Sequence, residues 1–116
     1  MQQFDIPIIH KTYELYRQLH DLERTVSKME RHTLWQRSET SALDVLEGLL
    51  QVGYLSQEAR IEKLLQVSAR VDMLRVFLRL SLDVKAINQK TYLSLQEAVD
   101  EIGRMLGGWL KSLRQK

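Results

Sequence analysis

Three histidines are the first candidates for catalysis or metal binding, and their spacing argues against both functions. His10, His20 and His32 are ten and twelve residues apart, and none lies in an HxxH or HExxH pattern. A di-iron site in a helical bundle needs Glu-x-x-His pairs, which the sequence lacks. The absence of cysteine excludes disulfides, thiolate chemistry and cysteine-ligated zinc. We therefore expect a protein that is not an enzyme and has no catalytic residue, metal or cofactor.

The glycine-rich segment EIGRMLGGWLKS, residues 101–112, is the next candidate, because glycine-rich loops can bind phosphate. The sequence contains no GxxxxGK[ST], GxGxxG or GxSxG pattern. An apolar seam that includes Trp109 continues through the segment, which indicates a helix. Gly103 and Gly107 flank this seam, where small residues allow a second helix to approach closely. We expect Gly103, Gly107 and Trp109 in an oligomer interface; the alternative is a helix that frays near Gly107.

Basic residues are unevenly distributed, although the formal net charge is only +2. Between residues 24 and 37, four Lys and Arg side chains accompany one acidic side chain, Glu30. In an up-down bundle the first and third connections lie at the same end, which adds two lysines. A localised basic end can bind phosphates, whereas cations near helix C-termini can equally serve the helix dipole. The candidate nucleic-acid-binding residues of this end are Arg24, Lys28, Arg31, Arg37, Lys85 and Lys90.

The elements that would position these residues are four amphipathic helices in one domain spanning residues 1–116. One proline, five glycines and few aromatic residues are typical of an all-helical protein. Apolar residues recur at spacings of three and four in four segments joined by short polar connections. We therefore predict an all-α, antiparallel up-down-up-down four-helix bundle. The predicted helices cover approximately residues 6–28, 34–54, 57–86 and 89–114.

Capping residues mark the start of each predicted helix. Pro7 suits a first helical turn, and Thr33 with Gln36 fits a capping box. The predicted caps are Asp5, Thr33, Ser56 and Asn88.

The sequence shows no targeting or membrane-spanning segment. The start, MQQFDIPII, has no basic region followed by a long apolar run. No segment approaches the roughly 18 apolar residues that a membrane span needs. We expect a cytoplasmic protein with no membrane partner.

The third predicted helix carries more apolar surface than a bundle requires. Val71, Leu74 and Leu78 form one stripe, which suffices for a core. A second stripe consists of Met73, Phe77, Leu80 and Val84. Large exposed apolar patches usually mark contacts, so we expect the second stripe in a subunit interface. The alternative is a central helix in a slightly larger monomeric core.

Charged residues of the same helix fall on one narrow strip. Asp72 and Arg75 are spaced i, i+3, and Arg79 and Asp83 are spaced i, i+4, so each arginine can pair within its own helix. The strip is neutral, and two interpretations stay open: a self-paired ladder or a phosphate-binding surface.

Four segments of the sequence, taken in order, resemble a known family. They read YELYRQLHDLERTV, RHTLWQRSETSALDVLEGLL, VDMLRVFLRLSLDVKAINQKTYLSLQE and EIGRMLGGWLKS. The chain is similar over nearly its whole length to the accessory variability determinant (Avd) proteins of diversity-generating retroelements. These are relatives of four-helix-bundle proteins encoded in intervening sequences of bacterial large-subunit ribosomal RNA genes. The junction of the third and fourth helices and the closing IGRMLGGW are the most specific parts.

The resemblance implies a non-catalytic protomer that assembles into a barrel-like homopentamer. It also implies binding of RNA or DNA and association with a reverse transcriptase, which copies template RNA into mutated cDNA for transfer into a variable gene. Arg75 and Arg79 lie in the matching segment LRVFLRL and join the candidate nucleic-acid-binding residues. The alternatives are an oligomeric bundle of the intervening-sequence type with an unknown binding role, and a small helical enzyme or metal carrier.

Overall fold

Four long helices form the computed structural model, which describes residues 6–115. The helices are α1 (Pro7–Leu22), α2 (Leu34–Val52), α3 (Gln57–Asp83) and α4 (Gln89–Arg114). Residues 6–115 contain no β-strand, so the all-α prediction is confirmed. The connection between α1 and α2 contains two short helical turns, Glu23–Thr25 and Lys28–Arg31.

Each long helix packs against the next one along the chain, and α4 returns to α1. Residues 53–56 join α2 to α3, and residues 84–88 join α3 to α4. Connections this short make the joined helices antiparallel neighbours. α3 has 27 residues and is therefore about 40 Å long, close to the 46 Å length of the molecule. The helices thus follow the predicted up-down-up-down order.

The first helix is shorter than the predicted range 6–28, because the chain turns inward at Val26. α1 ends at Leu22, and Val26 adopts an extended conformation with φ −83° and ψ 140°. Val26 fits the apolar periodicity of the helix, but it reaches the core from the connection and is buried there. Burial of a valine side chain stabilises the fold by about 1.5–3 kcal/mol, which offsets the interruption of the helix.

The third helix also ends before its predicted limit at residue 86. Lys85 has a positive φ of 64°, and the N–H groups of Ala86 and Ile87 donate to the Ser81 carbonyl oxygen. A left-handed residue followed by hydrogen bonds back into the last turn is a common way to end a helix. This arrangement buries Ala86 and Ile87 against the core.

Two of the predicted caps are confirmed. The Asn88 side chain accepts a hydrogen bond of 2.8 Å from the Thr91 N–H at the start of α4. The Ser56 hydroxyl accepts one of 3.5 Å from the Ala59 N–H at the start of α3. Asp5, the predicted cap of the first helix, lies outside the described residues.

The capping box predicted at Thr33 and Gln36 is wrong. Thr33 precedes α2, yet its side chain accepts no capping hydrogen bond from the described residues. Its hydroxyl instead donates to the Met29 carbonyl oxygen at 3.3 Å, in the preceding short turn. The carbonyl groups of this turn compete for the threonine hydroxyl. The same helix ends at Val52, two residues before its predicted end.

The core lies along the bundle axis between the four helices. Trp35 of α2 is fully buried, and its Nε1–H donates to the Leu19 carbonyl oxygen of α1 at 3.1 Å. The predicted first stripe of α3, Val71, Leu74 and Leu78, is 1–3% exposed and belongs to this core. The inner face of each helix is therefore occupied, and the candidate functional residues lie on the outside and at the ends.

Candidate functional site

The first and third connections meet at one end of the bundle. A surface groove there is lined by Thr25 from the first connection and by Lys85 and Asn88 from the third. A neighbouring groove is lined by Asp21, near the end of α1, and by Lys90 at the start of α4. We define the basic end as the set Arg24, Lys28, Lys85 and Lys90.

The four cations of the basic end are available to a ligand. Each side chain belongs to an exposed residue. None of them forms an ion pair with another described residue. Exposed cations without a described ion pair suit contacts to a phosphate backbone, which are long-ranged and do not depend on base sequence.

Arg31 and Arg37, two further candidates, have partners within the protomer instead. The half-buried Arg31 donates from Nη2 to the carbonyl oxygens of Val26 at 3.2 Å and Arg24 at 3.4 Å. The guanidinium carbon of Arg37 lies 5.4 Å from the centroid of the Phe77 ring, within cation–π distance. Arg31 therefore stabilises the first connection, and Arg37 packs on α3.

Arg75 is held between two carboxylates. Its Nη1 lies 2.7 Å from Asp72 Oδ1, and its Nε lies 3.2 Å from Asp100 Oδ1 on α4. Gly103 makes room for this guanidinium, since a Cβ atom at residue 103 would lie 2.5 Å from Arg75 Nη2. The i, i+3 pair expected within α3 is present, and the bridge to α4 was not foreseen. A phosphate would have to compete with both carboxylates for Arg75.

Arg79 is also paired, as its spacing predicts. Its Nε donates to Asp83 Oδ1 at 3.2 Å. A hydrogen bond to Tyr92, followed by the charge of Asp83, raises the pKa of Arg79 above its usual range. Both arginines of the charged strip are therefore paired with carboxylates of the protomer, whereas the cations of the basic end have no described ion pair.

The second apolar stripe of α3 remains on the surface. Met73, Val76, Leu80 and Val84 are between 43% and 52% exposed, whereas the first stripe is almost fully buried. Phe77 is half-buried at the inner edge, where Arg37 covers it. We define the apolar face as Leu65, Met73, Val76, Phe77, Leu80 and Val84. An apolar band of this length is typical of a protein contact surface.

The other residues predicted in the oligomer interface lie elsewhere. Gly107 and Gly108 are exposed. A Cβ atom added at either residue would have no neighbour within 4 Å among the described residues outside its own stretch of helix. Trp109 is half-buried and packs against the protomer core. Gly103 faces the Arg75 side chain, so neither Gly103 nor Gly107 accommodates a helix backbone within the protomer. The continuous α4 rules out the alternative of a helix ending near Gly107.

The structure brings together a cluster of titratable side chains that local sequence motifs do not reveal. His20 Nδ1 lies 3.9 Å from Glu23 Oε2 and 4.0 Å from Glu39 Oε2. Burial, followed by the charge of Glu23, raises the pKa of Glu39, while His20 lowers it. A search for local motifs could not find this cluster, because Glu39 reaches it from α2. The i, i+3 spacing of His20 and Glu23 is the part visible in the sequence.

Comparisons with known proteins place the chain in a family. The sequence profile of the bAvd-like family matches residues 7–113. A search of curated proteins finds no match. Among residues 6–115, no helix combines the length and the apolar character that crossing a bilayer requires.

Proposed function

We propose a function from the premise that the chain belongs to the bAvd-like family. The resemblance to the Avd proteins is thereby confirmed, and the chain is an accessory protein of the diversity-generating-retroelement type. We propose that it acts without catalysis in the cytoplasm, binding nucleic acid and associating with the element's reverse transcriptase. In this role it supports the mutagenic copying of template RNA into cDNA. The family match over residues 7–113 is the observation that carries the proposal.

The basic end supports the nucleic-acid part of the proposal. Its four exposed cations, Arg24, Lys28, Lys85 and Lys90, have no ion-pair partner among the described residues. The net charge of a protomer is only +2, so one copy offers few phosphate contacts. Repetition of the basic end in an oligomer would raise the overall affinity, because later contacts on one strand are intramolecular.

The apolar face of α3 supports assembly into a homo-oligomer, which we propose to be a barrel-like homopentamer. Side chains such as Met73 and Leu80 remain almost half exposed on a helix whose opposite stripe is buried. Each buried Å² of apolar surface contributes about 25 cal/mol, so covering this face would favour association. The face lies beside α2, and Gly107 lies on α4, so two different surfaces are candidates for subunit contacts.

Co-purification tests the proposed association. The reverse transcriptase encoded nearest to the gene is expressed with a tagged copy of this protein, and pull-downs are compared before and after RNase treatment. Retention of the polymerase after RNase is expected for a direct contact, and retention only before RNase indicates a contact bridged by RNA. Absence of the polymerase from both pull-downs would refute the association.

The genomic neighbourhood separates the proposal from the intervening-sequence alternative. A reverse-transcriptase gene and a template–variable repeat pair are expected beside the gene. A location inside a ribosomal RNA gene, with neither feature nearby, would favour the alternative of an oligomeric bundle with another binding role.

A further inference from the structure

We propose that His20, Glu23 and Glu39 form a binding site for a divalent transition-metal cation, with Zn²⁺ as the best fit. The three potential ligand atoms, one from each side chain, lie within 4.8 Å of one another. Imidazole nitrogen and carboxylate oxygen are both ligands that zinc accepts, and imidazole favours a transition metal over Mg²⁺ or Ca²⁺. The proposal departs from the expectation of no metal that the sequence motifs suggested, and it is independent of the proposed function.

The distances in the cluster are close to those of a zinc site. Zinc binds nitrogen and oxygen ligands at about 2.0–2.2 Å, so tetrahedral ligand atoms lie about 3.4 Å apart. The separations from His20 Nδ1 to the Glu23 and Glu39 oxygens are 3.9 and 4.0 Å. A contraction of about 0.5 Å would bring His20 Nδ1 to the tetrahedral separation from both carboxylate oxygens. The two carboxylate oxygens lie within 4.8 Å of each other, so they would have to approach by at most about 1.4 Å.

Glu39 is the observation that points to a cation. The residue is only 9% exposed, and its Oε2 atom is buried without a hydrogen-bond partner among the described residues. Burying a carboxylate oxygen without a partner is costly, so such atoms are rare unless an ion or a water satisfies them. The same oxygen is the one that faces His20. A bound cation would supply the missing partner and neutralise the repulsion between Glu23 and Glu39.

No arginine among residues 6–115 forms an ion pair with Glu39. Arg31 lines the cavity beside His20 and Glu23. Its Nη2 donates to the Arg24 and Val26 carbonyl oxygens, and no described salt bridge joins it to Glu39. The carboxylate is therefore not neutralised by the arginine that stabilises the first connection.

The imidazole is also restrained in position. The His20 ring stacks on Tyr16, one turn earlier in α1, with centroids 6.1 Å apart and an angle of 25° between the planes. The His20 side chain is 62% exposed, so a metal can reach the site from solvent. Three protein ligands would leave the fourth position of the metal to water. The metal would fasten the end of α1 to α2, directly before the basic first connection.

Zinc titration of the full-length, chelator-treated protein tests the site. Isothermal titration calorimetry should give one Zn²⁺ per protomer, and Zn²⁺ should raise the melting temperature. His20→Ala and Glu39→Gln should each weaken binding by more than the roughly 10–100-fold that is typical of losing an outer hydrogen-bond partner of a ligand. His10→Ala is the matched control, since His10 is exposed on α1 and outside the cluster. Its zinc affinity should equal that of the parent.

Two further measurements keep the result decisive. Glu39→Gln removes a buried negative charge, so in chelator it should melt no lower than the parent, which excludes unfolding as the cause of lost binding. Co²⁺ in place of Zn²⁺ should give the strong visible absorption of a four-coordinate site in the parent and lose it in His20→Ala. Failure of the parent to bind stoichiometric Zn²⁺ would overturn the proposal. Equal binding by the parent and both cluster variants would also overturn it.

Discussion

Neutralising the basic end should weaken RNA binding in a way that depends on salt. We choose the triple variant Lys28→Gln, Lys85→Gln and Lys90→Gln, because all three lysines are exposed and have no ion-pair partner among residues 6–115. Each phosphate contact to a single strand contributes about 0.7 to the slope of log K against log salt. Three contacts therefore account for a slope of about 2 per protomer. Between about 50 and 200 mM salt, that slope corresponds to a roughly 20-fold loss of affinity that the variant should no longer show.

The matched control is the triple variant Arg104→Gln, Lys111→Gln and Arg114→Gln. It makes the same charge change toward the other end of α4. Arg104, Lys111 and Arg114 are exposed, and no described ion pair involves them. Both triple variants lower the formal net charge from +2 to −1. Lys90 and Lys111 are 21 residues apart on α4, or about 30 Å. The two variants remove the same number of positive charges from different parts of the protomer.

Filter binding of a labelled single-stranded RNA, repeated across a salt series, gives the slope for each variant. The basic-end variant should have a flatter slope than the parent, and the control variant should resemble the parent. Equal slopes for the two triple variants would mean that net charge, and not the basic end, determines affinity. A parental slope in the basic-end variant would refute the assignment of these lysines.

The remaining predictions concern the apolar face and the glycines of α4. Leu80→Glu should lower the mass measured by sedimentation while the helical circular dichroism signal is retained. The control Leu93→Glu, at a residue 53% exposed on α4, should leave the mass unchanged. An unchanged oligomer in Leu80→Glu would show that the apolar face is not the subunit interface. Gly107→Ala should raise the free energy of unfolding by about 0.5–1 kcal/mol, because alanine is the better helix former and the position is open. Gly103→Ala should not show this gain in stability, since its Cβ would displace the Arg75 guanidinium. Equal gains in the free energy of unfolding for the two variants, measured by urea denaturation, would contradict the close approach of Arg75 to Gly103.

The apolar periodicity of the sequence was sufficient to predict the number and order of the long helices. Burial follows the spacing of three and four because a helix turns one face to the bundle axis, and Val71, Leu74 and Leu78 obey this rule. The same rule separated the second stripe, and Met73 and Leu80 are indeed outside the core. Local charge spacing likewise predicted the pairs Arg75–Asp72 and Arg79–Asp83.

Helix ends were less predictable, because they depend on contacts between distant parts of the chain. Val26 continues the periodic pattern but is buried from a connection, so α1 stops at Leu22. Thr33 has the right neighbours for a capping box, yet its hydroxyl bonds to the Met29 carbonyl oxygen. In both cases a competing tertiary or turn interaction outweighed a local preference of similar size.

The sequence by itself determined the helical class, the basic composition of the first connection, the surplus of apolar surface on α3 and the family. These properties depend on residue types and on spacings within one helix, which the chain carries before it folds. Only the tertiary structure decided which cations are unpaired, why a residue without a side chain is needed at position 103, and that Glu39 faces His20. These depend on distances between side chains of different helices, which are set by how the helices pack against one another.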